Sequence, residues 1–165
     1  FSIKNSGLGK SIFNLFFILI SLSTISSGKT IFGKAKVIDG DTIHINKNKI
    51  RLHAIDAPET NQTCYKNSKV WNCGLESTKF LKELIGNHKI ECITQGKDRY
   101  NRFIGICYKD NLDLNGEMVL NGWAIAYRYY SKDYVEEEEE AKQEKKGIWI
   151  GDFEEPYLFL SLIHI

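Results

Sequence analysis

The sequence predicts a mainly β protein of the α+β class, a small five-stranded barrel of the OB type that carries three helices. Segments of alternating apolar and polar residues come first, and the predicted order is three strands, a helix, a hairpin and two helices. The chain has 165 residues, of which 42% are hydrophobic and 26% charged, and this suits one domain with its own core. The composition and the lack of internal repeats exclude a disordered, fibrous or repeat-built protein.

Three strands are predicted at the start of the domain. Residues 31–38 and 42–46 alternate apolar and polar side chains, and residues 39–41 form a turn between them. Residues 49–55 alternate again, and Pro58 follows the strand, where its missing backbone donor ends the pairing. This alternation indicates a sheet with one face turned towards a core.

The predicted helices and a hairpin follow. Apolar residues recur at helical spacing over residues 75–85, and a hairpin is predicted over residues 88–109. A short second helix starts at Asn115, and the third covers residues 134–146. Residues 123–127 fit either a strand or an extended loop.

The third helix contains five consecutive glutamates, Glu136–Glu140. Consecutive helix positions point in different directions, so this run does not predict a metal cluster. We interpret it as a solvated helix face.

The two ends of the chain differ from residues 29–157, which form the predicted domain. Residues 1–28 carry Lys4 and Lys10, then an apolar stretch of about 11 residues, short of the roughly 20 that a spanning helix needs. They are predicted to be a secretory signal peptide, with an uncleaved membrane anchor as the alternative. Residues 158–165 form an apolar tail to which the sequence assigns no role.

The chain has four cysteines, an even number that suggests disulfides in an exported protein. Three pairings are possible. Cys64 and Cys73 flank a short loop, and Cys92 and Cys107 are equally far from the turn of the predicted hairpin, so these two pairs are favoured. The alternative is a zinc site, but the chain has no CxxC and the spacings fit no zinc-finger pattern.

A formal net charge of +1 excludes a protein that holds nucleic acid mainly by bulk positive charge, so a few placed groups must act instead. Asp41, Asp56 and Glu59 lie at turns and strand ends, where oxygen ligands can hold a hard cation such as calcium. Arg51 and Arg102 are of the residue type that binds phosphate in a bidentate way. The alternative is that the aspartates only stabilise turns and the arginines only cover the surface.

Several segments together resemble one family. The segments are Val37-Ile38-Asp39-Gly40-Asp41-Thr42, Ile50-Arg51-Leu52, Ile55-Asp56-Ala57-Pro58-Glu59-Thr60 and Asp98-Arg99-Tyr100-Asn101-Arg102. In this order they closely resemble the signature of the staphylococcal-nuclease-like (thermonuclease) family. Ala126-Tyr127-Arg128-Tyr129 and Gly147-Ile148-Trp149 are similar to its downstream landmarks, so the resemblance covers about residues 33–150.

The resemblance implies a role for each matching residue. Asp41 and Asp56 match the calcium-binding carboxylates, and Ala57, where the best-known member has Thr, matches a position that offers its backbone carbonyl to the ion. Glu59 matches the general base, and Arg51 and Arg102 match the pair that grips the scissile phosphate. Residues matching the nucleotide pocket are Tyr100 and Tyr127. No family role matches His44 or His53, which we interpret as bystanders, and Asp39 and Thr42 are expected to support the turn rather than bind the ion.

The implied function is that of an exported, calcium-dependent nuclease. The family cleaves the P–O5′ bond of DNA and RNA, leaves 3′-phosphate ends and prefers single strands. The expected protein is a monomer without a stable protein partner, secreted or periplasmic, or held at the membrane by its leader. The alternatives are a non-catalytic nucleic-acid-binding module on the same fold and a cell-surface interaction domain. The presence of all five key side chains favours the enzyme.

Overall fold

The computed structural model describes residues 28–163, and within them the chain forms ten strands, four α-helices and a 3-10 turn at Gly147–Ile150. The strands are β1 Thr30–Asp39, β2 Thr42–Ile45, β3 Asn48–Leu52, β4 Ile55–Asp56, β5 Cys64–Lys66, β6 Lys69–Trp71, β7 Lys89–Lys97, β8 Phe103–Lys109, β9 Leu112–Asp113 and β10 Ile125–Ala126. The helices are α1 Cys73–Ile85, α2 Leu114–Leu120, α3 Val135–Gln143 and α4 Pro156–Ile163.

Five strands close into a barrel. Their order is β3-β2-β1-β7-β8, and β3 pairs back onto β8 with Arg51 opposite Ile104. This closing pair is parallel, whereas the other pairs of the barrel are antiparallel. Closure leaves the barrel strands without an unpaired edge. The predicted fold class, a mainly β barrel of the OB type, is confirmed.

The core fills the barrel and the space beneath the helices. Ile43, Ile45, Ile50 and Leu52 alternate inward along β2 and β3 and are fully or almost fully buried. Each such side chain contributes about 1.5–3 kcal/mol by leaving water. The same alternation turns Arg51 outward between two buried neighbours, and this places its guanidinium on the outer face of the barrel.

Both predicted disulfides are present. Cys92 and Cys107 lie directly opposite each other in the β7–β8 ladder, with Cα atoms 4.0 Å apart. Cys64 and Cys73 join β5 to the start of α1, with Cα atoms 5.6 Å apart. The favoured pairing is therefore confirmed, and no thiol remains for a zinc site. Disulfides of this kind are typical of an oxidising compartment.

The C-terminal tail contains a helix that the sequence did not predict. Proline begins α4, and the helix covers most of the tail to which the sequence assigned no role. The fold therefore carries four helices within residues 28–163, one more than predicted. The predicted leader lies outside the described residues except for Gly28. In the described part of the chain, no helix is long and apolar enough to cross a membrane.

The expectation of a solvated helix face is wrong at one glutamate of the run. Glu138 is only 1% exposed. Its carboxylate accepts hydrogen bonds from the backbone N–H of Ala126 and from Lys142, and it pairs with Arg128 at 2.6 Å. Burial alone would raise the pKa of Glu138, but these donors outweigh it and hold the pKa below its ordinary value. Glu138 is therefore a structural anchor between α3 and β10.

Candidate active site

Asp41 lies at the turn between β1 and β2. The turn is tightened by Asp39, whose side chain accepts from the backbone N–H of Asp41 at 3.0 Å. Gly40 is required here because a side chain would collide with Ser77 and Ala57. Asp41 itself is 4% exposed, and its second carboxylate oxygen accepts from the backbone N–H of Ala57 at 2.9 Å. Two segments that are distant in sequence therefore meet at Asp41.

Asp56 lies at the end of β4, where it is fixed by pairing with Ile125 of β10. Asp56 is 5% exposed, and its Oδ1 accepts from Nη2 of Arg51 at 2.7 Å. The other Nη group of Arg51 pairs with Asp41. One guanidinium therefore lies between both predicted metal-binding carboxylates. The remaining oxygen, Oδ2 of Asp56, is buried and has no hydrogen-bond partner among the described residues.

Burial raises the pKa values of three carboxylates in this region. Burial raises the pKa of Asp56, and Arg51 and the nearby backbone N–H of Tyr157 oppose this rise. Burial also raises the pKa of Asp39, against its hydrogen bond from Thr42. The pKa of Glu59 is raised by burial first and by the Asp39 carboxylate second. The surroundings of these acids therefore disfavour their charged forms, a penalty that a bound cation would offset.

Arg102 is held in place by Asp98. The hairpin turn between β7 and β8 folds around the Asp98 carboxylate, which accepts from the backbone N–H groups of Tyr100 and Arg102 at 2.9 Å each. The same carboxylate accepts from Nε of Arg102 at 2.7 Å. Within residues 28–163 the two Nη groups of Arg102 make no side-chain hydrogen bond, so they are available to a ligand. Burial would raise the pKa of Asp98, but the bonds from Arg102 hold it below its ordinary value.

Two adjoining cavities gather the predicted site residues. The first, of about 370 Å³, is lined by both acids of the β1–β2 turn, Asp39 and Asp41, and by Glu59. The second, of about 410 Å³, is lined by Asp56, Tyr127 and residues of α4. The two cavities share the side chains of Arg51, Tyr100, Arg102 and Leu160. Sequence reasoning had no means to identify Leu160, which belongs to the tail.

Tyr127 belongs to an aromatic cluster beside the second cavity. Its backbone N–H donates to the carbonyl of Ala54 at 2.8 Å, which fixes it against the end of the barrel. Its ring lies 5.2 Å from that of Tyr130 and 6.1 Å from that of Tyr157, measured between ring centroids. Burial and the Asp56 carboxylate raise the pKa of Tyr127 above its ordinary value. Tyr100 also lines this cavity and is 63% exposed.

Two further residues near the site carried no clear signal in the sequence. His53, predicted to be a bystander, lines the second cavity, and its Nε2 lies 3.5 Å from the Asp133 carboxylate. Gln62 is completely buried, and its Oε1 accepts from the backbone N–H of Glu59 at 3.2 Å. A single glutamine in a polar loop gives no indication of burial, so the sequence could not predict this support of Glu59.

The donor set fits a hard cation that takes oxygen ligands. Within residues 28–163, no three acidic or histidine side chains converge as a ready-made cage. Calcium does not need one, because it accepts carboxylates, backbone carbonyls and water together. Asp41 and Asp56 are both buried and both contact Arg51, and Oδ2 of Asp56 makes no hydrogen bond within residues 28–163. These features fit a bound hard cation better than they fit a fully paired protein interior.

Comparisons with known proteins agree with this geometry. A family model described as "Staphylococcal nuclease homologue" matches residues 49–151, more than half of the chain. The succinoglycan biosynthesis protein ExoI of Rhizobium meliloti is 33% identical over 135 residues, which cover 79% of this chain and 71% of that protein. An uncharacterized endonuclease of Haemophilus influenzae is 35% identical over 143 residues, which cover 82% of this chain and 75% of that protein. The micrococcal nuclease of Shigella flexneri is 30% identical, covering 69% of this chain and 70% of its own length.

The barrel, the acid cluster and the two arginine-bearing segments thus occur in a chain that a nuclease family model matches from β3 through the 3-10 turn. The resemblance predicted from the sequence is confirmed, and so is the predicted enzyme class. The chain belongs to the staphylococcal nuclease family and is a hydrolase of the nuclease class.

Proposed function

We propose that this protein is an exported, calcium-dependent nuclease that hydrolyses phosphodiester bonds of DNA and RNA. The observation that carries the proposal is the meeting of five side chains around two adjoining cavities. These side chains are Asp41, Arg51, Asp56, Glu59 and Arg102. Acids that can hold a cation, a carboxylate with a raised pKa and two arginines are the groups that phosphodiester hydrolysis needs.

The proposed metal ligands are the carboxylates of Asp41 and Asp56 and the backbone carbonyl of Ala57. The ion, when bound, supplies Lewis-acid polarisation of the phosphate. The role of the surrounding protein residues is to keep both carboxylates ionised, buried and close together. Arg51 does this in the structure by contacting both acids, and the backbone N–H of Ala57 holds Asp41 in place.

Glu59 is the proposed general base. Burial and the Asp39 carboxylate raise its pKa, which is the direction required of a base that acts near neutral pH. Glu59 takes a proton from water as the water oxygen bonds to phosphorus. The P–O5′ bond then breaks, the leaving 5′ oxygen acquires a proton from solvent, and the phosphate stays on the 3′ end. The support from Gln62 holds the backbone of Glu59 in place.

Arg51 and Arg102 are proposed to stabilise the charge that develops on the phosphate oxygens. A guanidinium has five N–H donors, so Arg51 can contact its two acids and still donate to a phosphate. Arg102 is fixed by Asp98 through Nε, and its Nη groups are left to face the ligand. Such preorganised donors stabilise a transition state without having to reorganise during the reaction.

The proposal includes several finer points that come from the family resemblance. The substrate is DNA or RNA with single strands preferred, and the enzyme acts as a monomer without a stable protein partner. The two disulfides support export to an oxidising compartment, secreted or periplasmic, with or without an uncleaved leader. Tyr100 and Tyr127 are the proposed nucleotide-binding residues, and both line the second cavity.

Substitution of Glu59 separates the enzyme from a non-catalytic binding module on the same fold. In the enzyme, Glu59→Gln lowers kcat by about 10²–10⁴-fold, because a general base contributes that much, while binding of single-stranded DNA stays close to that of the parent. The matched control is Glu76→Gln, a half-buried glutamate of α1 outside both cavities that should leave kcat unchanged. Equal digestion rates for parent and Glu59→Gln would contradict the assignment. A folded parent that binds DNA but does not cleave it would favour the binding module.

A further inference from the structure

Helix α4 lines the candidate active site. Leu160 lines both cavities, and Tyr157 and Ser161 line the one that holds Arg51 and Tyr127. The outer side of the same helix carries Leu162, which is 58% exposed. The helix therefore has one side that faces the site and another that faces solvent. The segment that gave no functional signal in the sequence forms a wall of the cavity.

The chain before α4 is fastened to the loop that carries Glu59. Tyr65 and Asp152 exchange two backbone hydrogen bonds, of 2.7 Å and 2.8 Å. Gln62 donates through Nε2 to the carbonyl of Glu154 at 2.6 Å, and its Oε1 accepts from the backbone N–H of Glu59. One completely buried amide thus connects the general-base loop to the residues that lead into α4. This connection fixes the position of Tyr157 relative to Glu59.

The ring of Tyr157 has the properties of a surface on which a nucleobase stacks. It is 42% exposed, so an apolar face remains in contact with water. Its centroid lies 6.1 Å from that of Tyr127, and Arg51, the proposed phosphate-binding residue, lines the same cavity. A cavity of about 410 Å³ falls in the size range of small-ligand sites. Aromatic rings beside cationic groups are the usual platform for unpaired bases.

We propose that Tyr157 of α4 contacts the nucleobase next to the scissile phosphate and that Leu160 closes the cavity behind it. The inference rests on the proposed nuclease function and adds a substrate-binding element to it. A base that enters this cavity has left its stack and its partner strand. The helix wall therefore gives a structural reason for single-stranded substrates to be preferred.

The test compares binding and cleavage of two oligonucleotides by four proteins. The proteins are the parent, Tyr157→Ala, Tyr157→Phe and the control Leu162→Ala. The oligonucleotides are a labelled single strand and the same strand made abasic, both with a nuclease-resistant phosphorothioate backbone for the Kd. Unmodified versions give KM and kcat. Fluorescence anisotropy supplies Kd, and circular dichroism checks that each variant is folded.

A base contact predicts a specific pattern. Tyr157→Ala raises the Kd and KM for the normal strand about tenfold, as expected for the loss of one base–aromatic contact. Tyr157→Phe and Leu162→Ala remain within about twofold of the parent, because the ring is kept in one and the site untouched in the other. On the abasic strand, Tyr157→Ala and the parent bind equally. Tyr157→Leu, which keeps apolar bulk but removes the ring, serves if Tyr157→Ala fails to fold.

Two results would contradict the proposed role of Tyr157 while leaving the proposed nuclease function intact. One is an unchanged Kd and KM for Tyr157→Ala with a parent that cleaves DNA. The other is an equal loss on normal and abasic strands, which indicates that the tyrosine only supports the fold. A folded parent that neither binds nor cleaves either strand would overturn the proposed function, and this inference with it. The outcomes are therefore distinguishable.

Discussion

Nη2 of Arg51 lies 2.7 Å from Oδ1 of Asp56, so a residue assigned to the phosphate is also the counter-ion of a residue assigned to the metal. Arg51 contacts Asp41 in the same way on its other side. The two halves of the proposed site are therefore coupled through one guanidinium. Changes on either half should affect the other, both in stability and in catalysis.

Arg51→Ala is expected to cost both stability and activity. Removing one partner of a buried ion pair leaves an uncompensated charge at Asp56, at a cost of about 3 kcal/mol in the free energy of unfolding without calcium. The loss of a phosphate donor lowers kcat by about 10²–10³-fold. Arg102→Ala is the matched variant, with a similar loss in kcat but a smaller loss in stability, because Asp98 keeps its two backbone donors. Urea unfolding and steady-state kinetics measure both effects, and equal stability losses would contradict the coupling.

Asp98→Asn tests whether Arg102 needs its ion pair with Asp98 to be positioned correctly. The amide keeps an acceptor for the turn but removes the charge that orients the guanidinium. We expect kcat to fall about tenfold to a hundredfold with little change in KM, because a misplaced catalytic group lowers the rate without removing binding. The thermal midpoint should fall modestly, because the ionised carboxylate is the form that the fold stabilises. A kcat equal to that of the parent would show that the turn alone positions Arg102.

The pH dependence of the free energy of unfolding should show the contribution of the Glu138 carboxylate. Its pKa in the folded state lies below the ordinary value, so the unfolded chain binds more protons between these two values. The stabilisation is therefore complete above a pH of about 4.3 and is lost as the pH falls through the lower, folded-state pKa. Glu138→Gln should cost about 2 kcal/mol near neutral pH and remove that part of the acid dependence. Urea unfolding from pH 7 downwards tests this, with the exposed Glu140→Gln as control. Parallel curves for parent and Glu138→Gln would contradict it.

The two disulfides are expected to differ in their effect on activity. Replacing Cys92 and Cys107 together by Ala should cost about 3 kcal/mol, the value for a loop of this length, yet leave kcat/KM unchanged below the thermal midpoint. Replacing Cys64 and Cys73 should also raise KM, because that bridge holds the strand on which Tyr65 pairs with Asp152 before α4. Thermal unfolding and kinetics on both double variants check this. Equal KM values for the two would contradict the link to α4.

The fold was predictable where the sequence has a strong period and one buried face. Ile43, Ile45 and Ile50 alternate with polar residues, and a one-residue shift in strand register would point all three side chains towards solvent. The Cys92–Cys107 pairing followed from the symmetry of a hairpin. Glu138 could not be distinguished from its identical neighbours, because only tertiary contacts with β10 and Arg128 decide which glutamate is buried.

The candidate site was predictable in the residues that stand in short sequence motifs. Asp41, Arg51 and Glu59 stand in short motifs that can be read from the chain, and the structure brings them to one cavity. Gln62 and Tyr157 act through contacts between segments that are some 90 residues apart in sequence, such as the bond from Gln62 to Glu154. No local pattern encodes such a contact, so the wall formed by α4 appears only in three dimensions.

The most direct test of the proposed function is digestion of heat-denatured DNA by the purified protein, with calcium and with a calcium chelator, alongside Glu59→Gln. A calcium-dependent nuclease digests the DNA only when calcium is present and leaves products with 3′-phosphate ends. Glu59→Gln is expected to bind the DNA without digesting it. Digestion that continues undiminished in the chelator, or at the parent rate in Glu59→Gln, would contradict the proposed calcium site or the proposed base.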